Sequence, residues 1–431
     1  MNKKIKIGLL GSGTVGTGVI KVLLENVHEI TQKIGREVAI TKVLVRDLNK
    51  KRKIPSTCTI IDDFEEIIND DSIDIVVEVM GGENPAKEYM LRALEAGKHV
   101  VTANKDVVAK YGKLMFEAAE KHKVDFMFEA SVGGGIPIIT PLKQCLTANK
   151  ILEVMGIVNG TTNYMLTKMT NEKLDYHTVL TEAQAKGYAE SDPIADVGGL
   201  DAARKIAILS SIAFNTRVHL DDVYVEGITA ITPEDIEYAR ELGYVIKLLA
   251  IAKDVPAYGI DVRVHPALVP NTHPLASVND VFNAIFVKGN AVGETMFYGR
   301  GAGEGPTASA VVADIIDISR NIVHKTSGKI SCTCFEDKMI CPVEKSISAY
   351  YVRLLVKDEP GVLATIAGAF GNNQVSLNSV IQKRRVNGCA EIVLITHEVA
   401  QEHLAKASAI IKNLKDVTEI RNIIRVEAQR K

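Results

Sequence analysis

The stretch that most restricts what this chain can become runs from Lys3 to Gly16. Lys3–Leu10 (Lys-Lys-Ile-Lys-Ile-Gly-Leu-Leu) reads as a buried strand of a parallel sheet. Gly11-Ser12-Gly13-Thr14-Val15-Gly16 follows at once, and a helical period then runs to about Val27. Gly-x-Gly-x-x-Gly alone is weak, but between a strand and a helix it is a dinucleotide fingerprint. Gly11 permits the tight turn, Gly13 lets backbone N–H groups approach a pyrophosphate, and Gly16 lets helix and strand pack closely. Thr14 and Val15 open the helix, whose unsatisfied N–H groups and dipole favour an anion.

The second strand is expected at Val38–Val45, ending in Arg46. In this fold the residue there reads the adenosine ribose, an acid for NAD and an arginine for NADP. Arg46, with Lys50, Lys51 and Arg52 close by, favours the 2′-phosphate of NADP, while the adjacent Asp47 pulls towards NAD. Further strands are expected at Ile73–Met80, Lys98–Thr102 and Val124–Glu129, with helices at 85–96 and 113–122. Lys105 follows the second of these strand ends. Strand ends in an open α/β sheet border the ligand crevice, so Lys105 is expected at the nicotinamide end, the alternative being an ordinary surface lysine.

Composition narrows the class. With 431 residues, 46% hydrophobic and 24% charged, the chain has the make-up of a soluble protein of two or three domains. A net charge of −2 gives no electrostatic case for nucleic acid or an anionic membrane. Neither a spanning run nor a signal-peptide core is visible, so a cytoplasmic protein is expected. Among the six cysteines, Cys332, Cys334 and Cys341 lack a fourth ligand and zinc spacing, and read as structural or incidental thiols.

Residues 131–305 read as an α+β unit without a second nucleotide fingerprint. It opens on Ser131-Val132-Gly133-Gly134-Gly135-Ile136-Pro137, which is either a backbone-lined ligand turn or a hinge. Asn159-Gly160-Thr161-Thr162-Asn163 can supply ligand donors or simply cap a helix. Helices are expected at 164–169, 174–186, 202–214 and 233–242, and strands at 151–158, 281–287 and 294–298.

Gly187-Tyr188-Ala189-Glu190-Ser191-Asp192-Pro193 leads through Asp196 to Asp201 and Lys205. Asp201 and Lys205, four apart, share a helix face. This gathers acids for an ammonium group and a lysine for a proton, or else it is a solvated loop with an i,i+4 ion pair.

A second glycine segment, Gly299 to Thr307 with Gly303 and Glu304, precedes a helix at 309–321 that is expected to return to the first domain near the cofactor. Residues 326–345 read as a linker. The tail, 346–431, gives a βαββαβ order, which is ferredoxin-like. Its Asp358-Glu359-Pro360-Gly361 loop enters a helix N-terminus and can hold an amino-acid carboxylate, or the tail is a structural or dimerising appendage.

These motifs together resemble homoserine dehydrogenase over essentially the full length. They are the fingerprint at 11–16, Thr102-Ala103-Asn104-Lys105, Glu129 to Pro137, Asn159 to Tyr164, and the segment from Gly187 to Lys205. The tail resembles an ACT domain, a module that in this family is associated with feedback inhibition by threonine. The resemblance implies an N-terminal Rossmann domain (1–130, completed by a helix at about 306–325) and a central catalytic and dimerisation domain (131–305). A linker (326–345) and the ACT domain (346–431) follow.

It further implies interconversion of L-aspartate 4-semialdehyde and L-homoserine, on the route to threonine, methionine and isoleucine. Lys205 is then the proton-transfer lysine and Lys105 a second cation near cofactor and substrate. Glu190, Asp201, Asp196, Gly187 and Tyr188 form the substrate pocket, and Gly303 and Glu304 join the cofactor site. A monovalent cation, sodium by the family's pattern, would sit on Glu129 with the carbonyls of Val132, Gly134 and Ile136. A homodimer or homotetramer is implied too.

The chemistry is consistent with those roles. Oxidising a primary alcohol needs a hydride acceptor at carbon and a proton acceptor at the hydroxyl, and a lysine serves if its pKa is drawn towards neutrality. Lys105 and desolvation would lower it, and Asp201 would oppose both. Two rival classes are another nicotinamide oxidoreductase of a small polar substrate, inert with homoserine, and a non-catalytic amino-acid sensor that binds NADPH without turnover. A phosphorylating semialdehyde dehydrogenase would need a nucleophilic cysteine, and Cys145 has no histidine close in sequence.

Overall fold

A computed structural model describes residues 4–328, 331–386 and 388–427. The chain forms two compact units. The first comprises Met1–Leu152, Arg204–Leu220 and Asn283–Asp337; the second comprises Glu153–Ala203, Asp221–Phe282 and Lys338–Lys431.

Along the chain, β1 (Ile5–Leu10) leads to α1 (Thr14–Glu25), α2 (Val27–Ile34), β2 (Val38–Leu44), β3 (Thr59–Ile61) and α3 (Glu65–Ile68). Then come β4 (Ile75–Glu78), α4 (Ala86–Glu95), β5 (His99–Thr102), α5 (Lys105–His122) and β6 (Phe126–Met127). Next are β7 (Ile151–Ile157), α6 (Gly160–Glu172), α7 (Tyr176–Ala185), α8 (Ile194–Val197) and α9 (Leu200–Ala213). They are followed by β8 (Tyr224–Val225), α10 (Pro233–Glu241), β9 (Tyr244–Val255), β10 (Gly259–Pro270), β11 (Phe282–Gly289), β12 (Gly293–Arg300) and α11 (Glu304–His324). The tail adds β13 (Ile347–Lys357), α12 (Val362–Asn372), β14 (Leu377–Val386), β15 (Cys389–Thr396), β16 (Val399–Ala400), α13 (Gln401–Lys412) and β17 (Val417–Val426).

The first unit is built on a parallel sheet of order β3-β2-β1-β4-β5-β6. This is the doubly wound order, whose switch point lies between β1 and β4. Ile7, Leu9, Ile75 and Val77 face a core completed by Ala308, Val311, Ile315 and Ile318 of α11. The late helix therefore does return to the nucleotide sheet, lying along α1. Its extent differs from the sequence reading, starting at Glu304 rather than Ser309.

Helix α5 also starts earlier than expected, at Lys105 instead of Lys113. The Asn104 side chain accepts a hydrogen bond from the Val107 N–H, which caps the helix. Gly112 sits inside α5, where a Cβ would meet the Arg217 guanidinium at 3.4 Å, an ordinary contact distance.

In the second unit the strand path is β7-β9-β10-β17-β13-β15-β14. The long β9–β10 hairpin, in antiparallel register from Gly259↔Val255 to Pro270↔Tyr244, was not foreseen. β9 is near-continuously apolar and buried, without the alternation that marks a one-sided strand, whereas β10 alternates from Ile260 to His265, a strand signal the sequence reading passed over. The tail is the expected βαββαβ unit, with α12 and α13 packed over one face of its sheet through Ile366, Phe370, Leu404 and Ile411.

The tail's last strand does more than close its own sheet. β17 pairs in parallel with β10 through Ala267↔Arg425 and Leu268↔Val426. The next residue, Glu427, is buried and accepts from Lys253 at 2.9 Å and Arg263 at 3.2 Å. A second buried cluster joins α10 to the tail sheet. Arg353 donates to Asp235 at 2.8 Å, to Glu391 at 2.9 Å and to the Thr232 hydroxyl at 2.9 Å.

Residues 331–345, read as linker, are likewise pinned: Glu336 N–H bonds the Asn215 carbonyl, and Cys341 N–H bonds that of Ile260. Among the described residues, no helix is long and apolar enough to cross a membrane.

Breaking a buried ion pair from one side leaves an uncompensated charge and costs about 3–5 kcal/mol. Asp235→Ala is therefore expected to lower the urea midpoint of the folded chain substantially, whereas an exposed change such as Glu419→Ala leaves it in place. Glu427 adds a pH dependence. Burial raises its pKa, but Lys253 and Arg263 overcome that and hold the carboxyl well below the usual range. Its contribution is complete above the unfolded value of about 4.3 and fades as pH falls below it, so acid unfolding of Glu427→Gln should be the shallower of the two.

Candidate active site

After β1 the chain turns at Gly11, with φ of +100°, and α1 begins without a side-chain cap. A Cβ on Gly16 would lie 2.2 Å from the Gly11 carbonyl oxygen, so only glycine lets the helix start this close to the turn. The first N–H groups of α1, from Thr14 and Val15 onward, are thereby left for an anion. A cleft of about 510 Å³ opens here, lined by Gly11, Gly13, Arg46, Asp47, Lys50 and Tyr89 among others. Arg46 and Lys50 thus share the cleft with Asp47, while Arg52 donates to the Asp47 and Lys50 carbonyls and braces their loop. These residues fit a dinucleotide with a phosphorylated ribose. Gly303 and Glu304 do not line that cleft; they open α11 against α1, where a Cβ on Gly18 would be 2.6 Å from the Glu304 carbonyl oxygen.

Lys105 is the first residue of α5, held by a network that starts on a residue the sequence reading passed over. Glu78, at the end of β4, is fully buried. One of its carboxylate oxygens accepts the Met80 N–H at 2.7 Å and the Gly81 N–H at 3.2 Å; the other accepts the Thr102 hydroxyl at 2.6 Å. The Thr102 oxygen in turn accepts the Asn104 N–H at 2.9 Å, and the Asn104 amide donates to the Gly82 carbonyl at 2.7 Å. Burial pushes the Glu78 carboxyl up, against the pull of those donors. The signal available in the sequence was a lone acid closing an apolar strand.

Lys205 lies on α9, half-buried, one turn after Asp201. Its neighbour Arg204 pairs with Asp106, the neighbour of Lys105, at 2.7 Å. The two lysine-bearing helices are therefore fastened together at adjacent positions.

Glu129 is buried beyond β6. Its carboxylate accepts the N–H groups of Ile138 (2.6 Å), Ile139 (2.8 Å) and Thr140 (2.8 Å), and its own N–H donates to Asp314 at 2.8 Å. Burial, reinforced by the Glu129 charge, drives the Asp314 carboxyl well above its usual value. The glycine turn packs on the second glycine segment: Gly134 has φ of +54°, and a Cβ there would be 2.3 Å from the Gly301 carbonyl oxygen. Gly135 N–H bonds the Arg300 carbonyl at 3.0 Å. Among the described residues no backbone N–H is donated to the carbonyls of Val132, Gly134 or Ile136. A buried carboxylate beside unmet carbonyls is a donor set that fits a hard cation.

In the second unit, Asn159 joins two of the expected acids. Its amide donates to Asp196 at 2.7 Å and to Asp201 at 2.9 Å, while its oxygen accepts the Thr162 N–H and caps α6. The cap of α6 and the bridge between the two acids are thus the same residue. Gly187 turns the chain at φ of +73°, and the Tyr188 carbonyl accepts the Thr161 hydroxyl at 2.7 Å. The Tyr188 ring meets Tyr164 edge-on, and Glu190 is exposed with its carbonyl held by Gln184. Asp201 is buried, Asp196 half-buried, and Glu190 stands apart from their shared amide.

Comparison with known proteins matches three stretches of the chain. Residues 11–129 match the family model "Homoserine dehydrogenase, NAD binding domain", 137–316 the model "Homoserine dehydrogenase", and 350–416 the ACT domain. The homoserine dehydrogenase of Synechocystis sp. is 47% identical over 98% of this chain and 99% of its own length. That of Bacillus subtilis is 44% identical over 99% of both. The crystal structure of a homoserine dehydrogenase from Thiobacillus denitrificans superposes with a TM-score of 0.94 at 43% identity, covering 99% of this chain and 98% of that one. A hyperthermophilic archaeal homoserine dehydrogenase mutant in complex with NADPH matches at a TM-score of 0.63 and 26% identity, over 73% of this chain and 98% of that one.

Two outcomes follow from the geometry. Gly16→Ala should weaken dinucleotide binding by about tenfold or more in fluorescence titration, because the turn must open to admit the methyl group. Glu78→Ala strands two backbone donors and a hydroxyl in the interior, and should cost about 2 kcal/mol or more in urea unfolding, with Glu78→Gln costing less.

Proposed function

We propose that this chain, which belongs to the homoserine dehydrogenase family and is an NAD(P)-dependent oxidoreductase, reduces L-aspartate 4-semialdehyde to L-homoserine and catalyses the reverse. NADP is the preferred cofactor, on the strength of Arg46 and Lys50 in the dinucleotide cleft. A bound nicotinamide supplies the hydride in one direction and accepts it in the other. The protein's part is to bind, orient and move a proton. Protonated Lys205 donates to the carbonyl oxygen as negative charge grows there, and as the free amine it takes the hydroxyl proton in oxidation. Lys105 supplies a second positive charge, which stabilises the same oxygen. Glu190, Asp196 and Asp201, with Gly187 and Tyr188 shaping the loop, receive the α-ammonium group and the hydroxyl.

The observation that carries this reading is the Arg204–Asp106 pair, which ties the Lys205 helix to the Lys105 helix at neighbouring residues. The Asn159 amide supports the acid roles, since it holds Asp196 and Asp201 together. Glu129 with the Val132, Gly134 and Ile136 carbonyls would hold a monovalent cation such as sodium and stiffen the glycine turn.

The tail is proposed to bind L-threonine as a feedback inhibitor on the pathway to threonine, methionine and isoleucine. What supports a carboxylate site is α12, which follows Gly361 with φ of +91° and, among the described residues, has no side-chain cap. An assembly of at least two subunits and a cytoplasmic location belong to the same proposal.

The first test is initial-rate reduction of NADP and of NAD by L-homoserine, with and without millimolar threonine. Rapid reduction, faster with NADP and slowed by threonine, is expected; an inert mixture with either cofactor would favour an oxidoreductase of another substrate or a sensor. Lys205→Met should lower kcat by about 10²–10⁴-fold while the NADPH Kd stays within about twofold, and an unchanged kcat would remove Lys205 from the chemistry.

A further inference from the structure

Beneath α9, on the side of the first unit formed with α5, lie two cysteines that the proposed chemistry does not use. Arg217 Nη2 donates to Cys332 Sγ at 3.3 Å, and Cys334 Sγ donates to the Ser211 carbonyl at 3.5 Å. The sulfurs are also hydrogen-bonded to each other. The Cys334 thiol, its backbone N–H, and the Arg217 and Lys143 charges all favour the Cys332 thiolate and together outweigh the opposing effect of burial. The Cys332 bond and burial push Cys334 the other way, so it keeps its proton.

The surroundings divide the two sulfurs. Both line a small cavity of about 20 Å³ with Phe116, Phe128 and Lys143. Cys332 alone also lines a groove of about 300 Å³, bordered by Glu120, Lys123, Asp125 and Ser331. Lys143 is buried over the Phe116 ring at 4.6 Å, and that burial lowers its pKa to about 8. The Arg217 Nε is buried and has no hydrogen-bond partner. A small reagent in the groove therefore meets Cys332 first, with Cys334 in contact behind it.

We propose that Cys332 and Cys334 form an oxidative modification site, in which Cys332 reacts with a small hydroperoxide from the groove and Cys334 resolves the product as an intramolecular disulfide. In the first step the Cys332 sulfur attacks the peroxide. The O–O bond breaks, the alkoxide or hydroxide leaves and is protonated by solvent, and the sulfur gains two oxidation equivalents as S–OH. In the second, the Cys334 sulfur gives up its proton and displaces hydroxide from Cys332; the S–O bond breaks, the S–S bond forms, and water leaves. The peroxide is the sole oxidant and is reduced to an alcohol or water. Arg217 and Lys143 hold the attacking charge, as reactive thiols require. In a reducing compartment such a disulfide is transient, which suits a sensor rather than a structural bond. Closing it would release Ser211, six residues along α9 from Lys205.

The test uses the reduced, full-length chain with near-stoichiometric hydrogen peroxide at neutral pH, quenched with iodoacetamide over time. Both cysteines fall in one tryptic peptide, residues 330–338. That peptide is expected to lose two hydrogens and escape alkylation at least about tenfold faster than exposed Cys145 is oxidised. Cys334→Ser should stop at a sulfenic acid on Cys332 that dimedone traps, and Cys332→Ser should leave Cys334 alkylatable. Oxidation of Cys332 no faster than that of Cys145, or a disulfide to any other cysteine, would overturn the proposal.

Discussion

Much of the first unit depends on one buried carboxylate. Glu78 receives two N–H groups from the turn after β4 and a hydroxyl from the end of β5, so two crossover connections share a single acceptor. A parallel sheet leaves its strand ends as loops with unmet donors. Here the donors converge on charge rather than on water, and the loops become rigid enough to place a helix terminus. Asn104 extends the same network to the cap of α5, and Lys105 inherits a defined position from it. An apolar residue at 78 would close the strand equally well and leave both turns to solvent.

Legibility followed the range of the physical signal. The glycine fingerprint, the parallel strands and the tail's βαββαβ order are local patterns, and each could be read from residues close in sequence. The β9–β10 hairpin was missed because β9, buried on both faces, loses the alternation that separates strands from helices, and the alternation of β10 from Ile260 to His265 was passed over. The start of α5 was missed because its cap, the Asn104 side chain on the Val107 N–H, is a backbone geometry that follows the strand end directly and leaves no spacing of its own. For the site, residue types and helix spacing singled out Lys205, Asp201 and Asp196. Glu78, Asn159 as a bridge, and the Arg204–Asp106 pair are long-range pairings that no spacing encodes.

The second unit shows how the tail module can be joined to the rest of its unit without a flexible joint. Arg353 sits among Asp235, Glu391 and a threonine hydroxyl, and Arg263 among Asp261, Glu427 and two serines. Each guanidinium spends its fixed fork of donors on acceptors from segments far apart in sequence. Such clusters fix register more than they add stability, since desolvation offsets much of the attraction. A displacement of the tail sheet would have to move α10 and β10 with it, and no apolar contact transmits geometry so strictly.

The pairing of β17 with β10 also sets an order of events during synthesis. β10 is complete at residue 270 and β8 already pairs its Arg263 and Val264, yet the strand that pairs its Ala267 and Leu268 spans residues 417–426. On a ribosome adding about 5–20 residues per second, that edge stays open for several seconds while the tail is made. An apolar strand with unpaired N–H and C=O groups invites pairing with another chain. The nascent protein therefore passes through a window in which its central sheet is a target for chaperones, and the last strand to emerge is the one that ends that exposure.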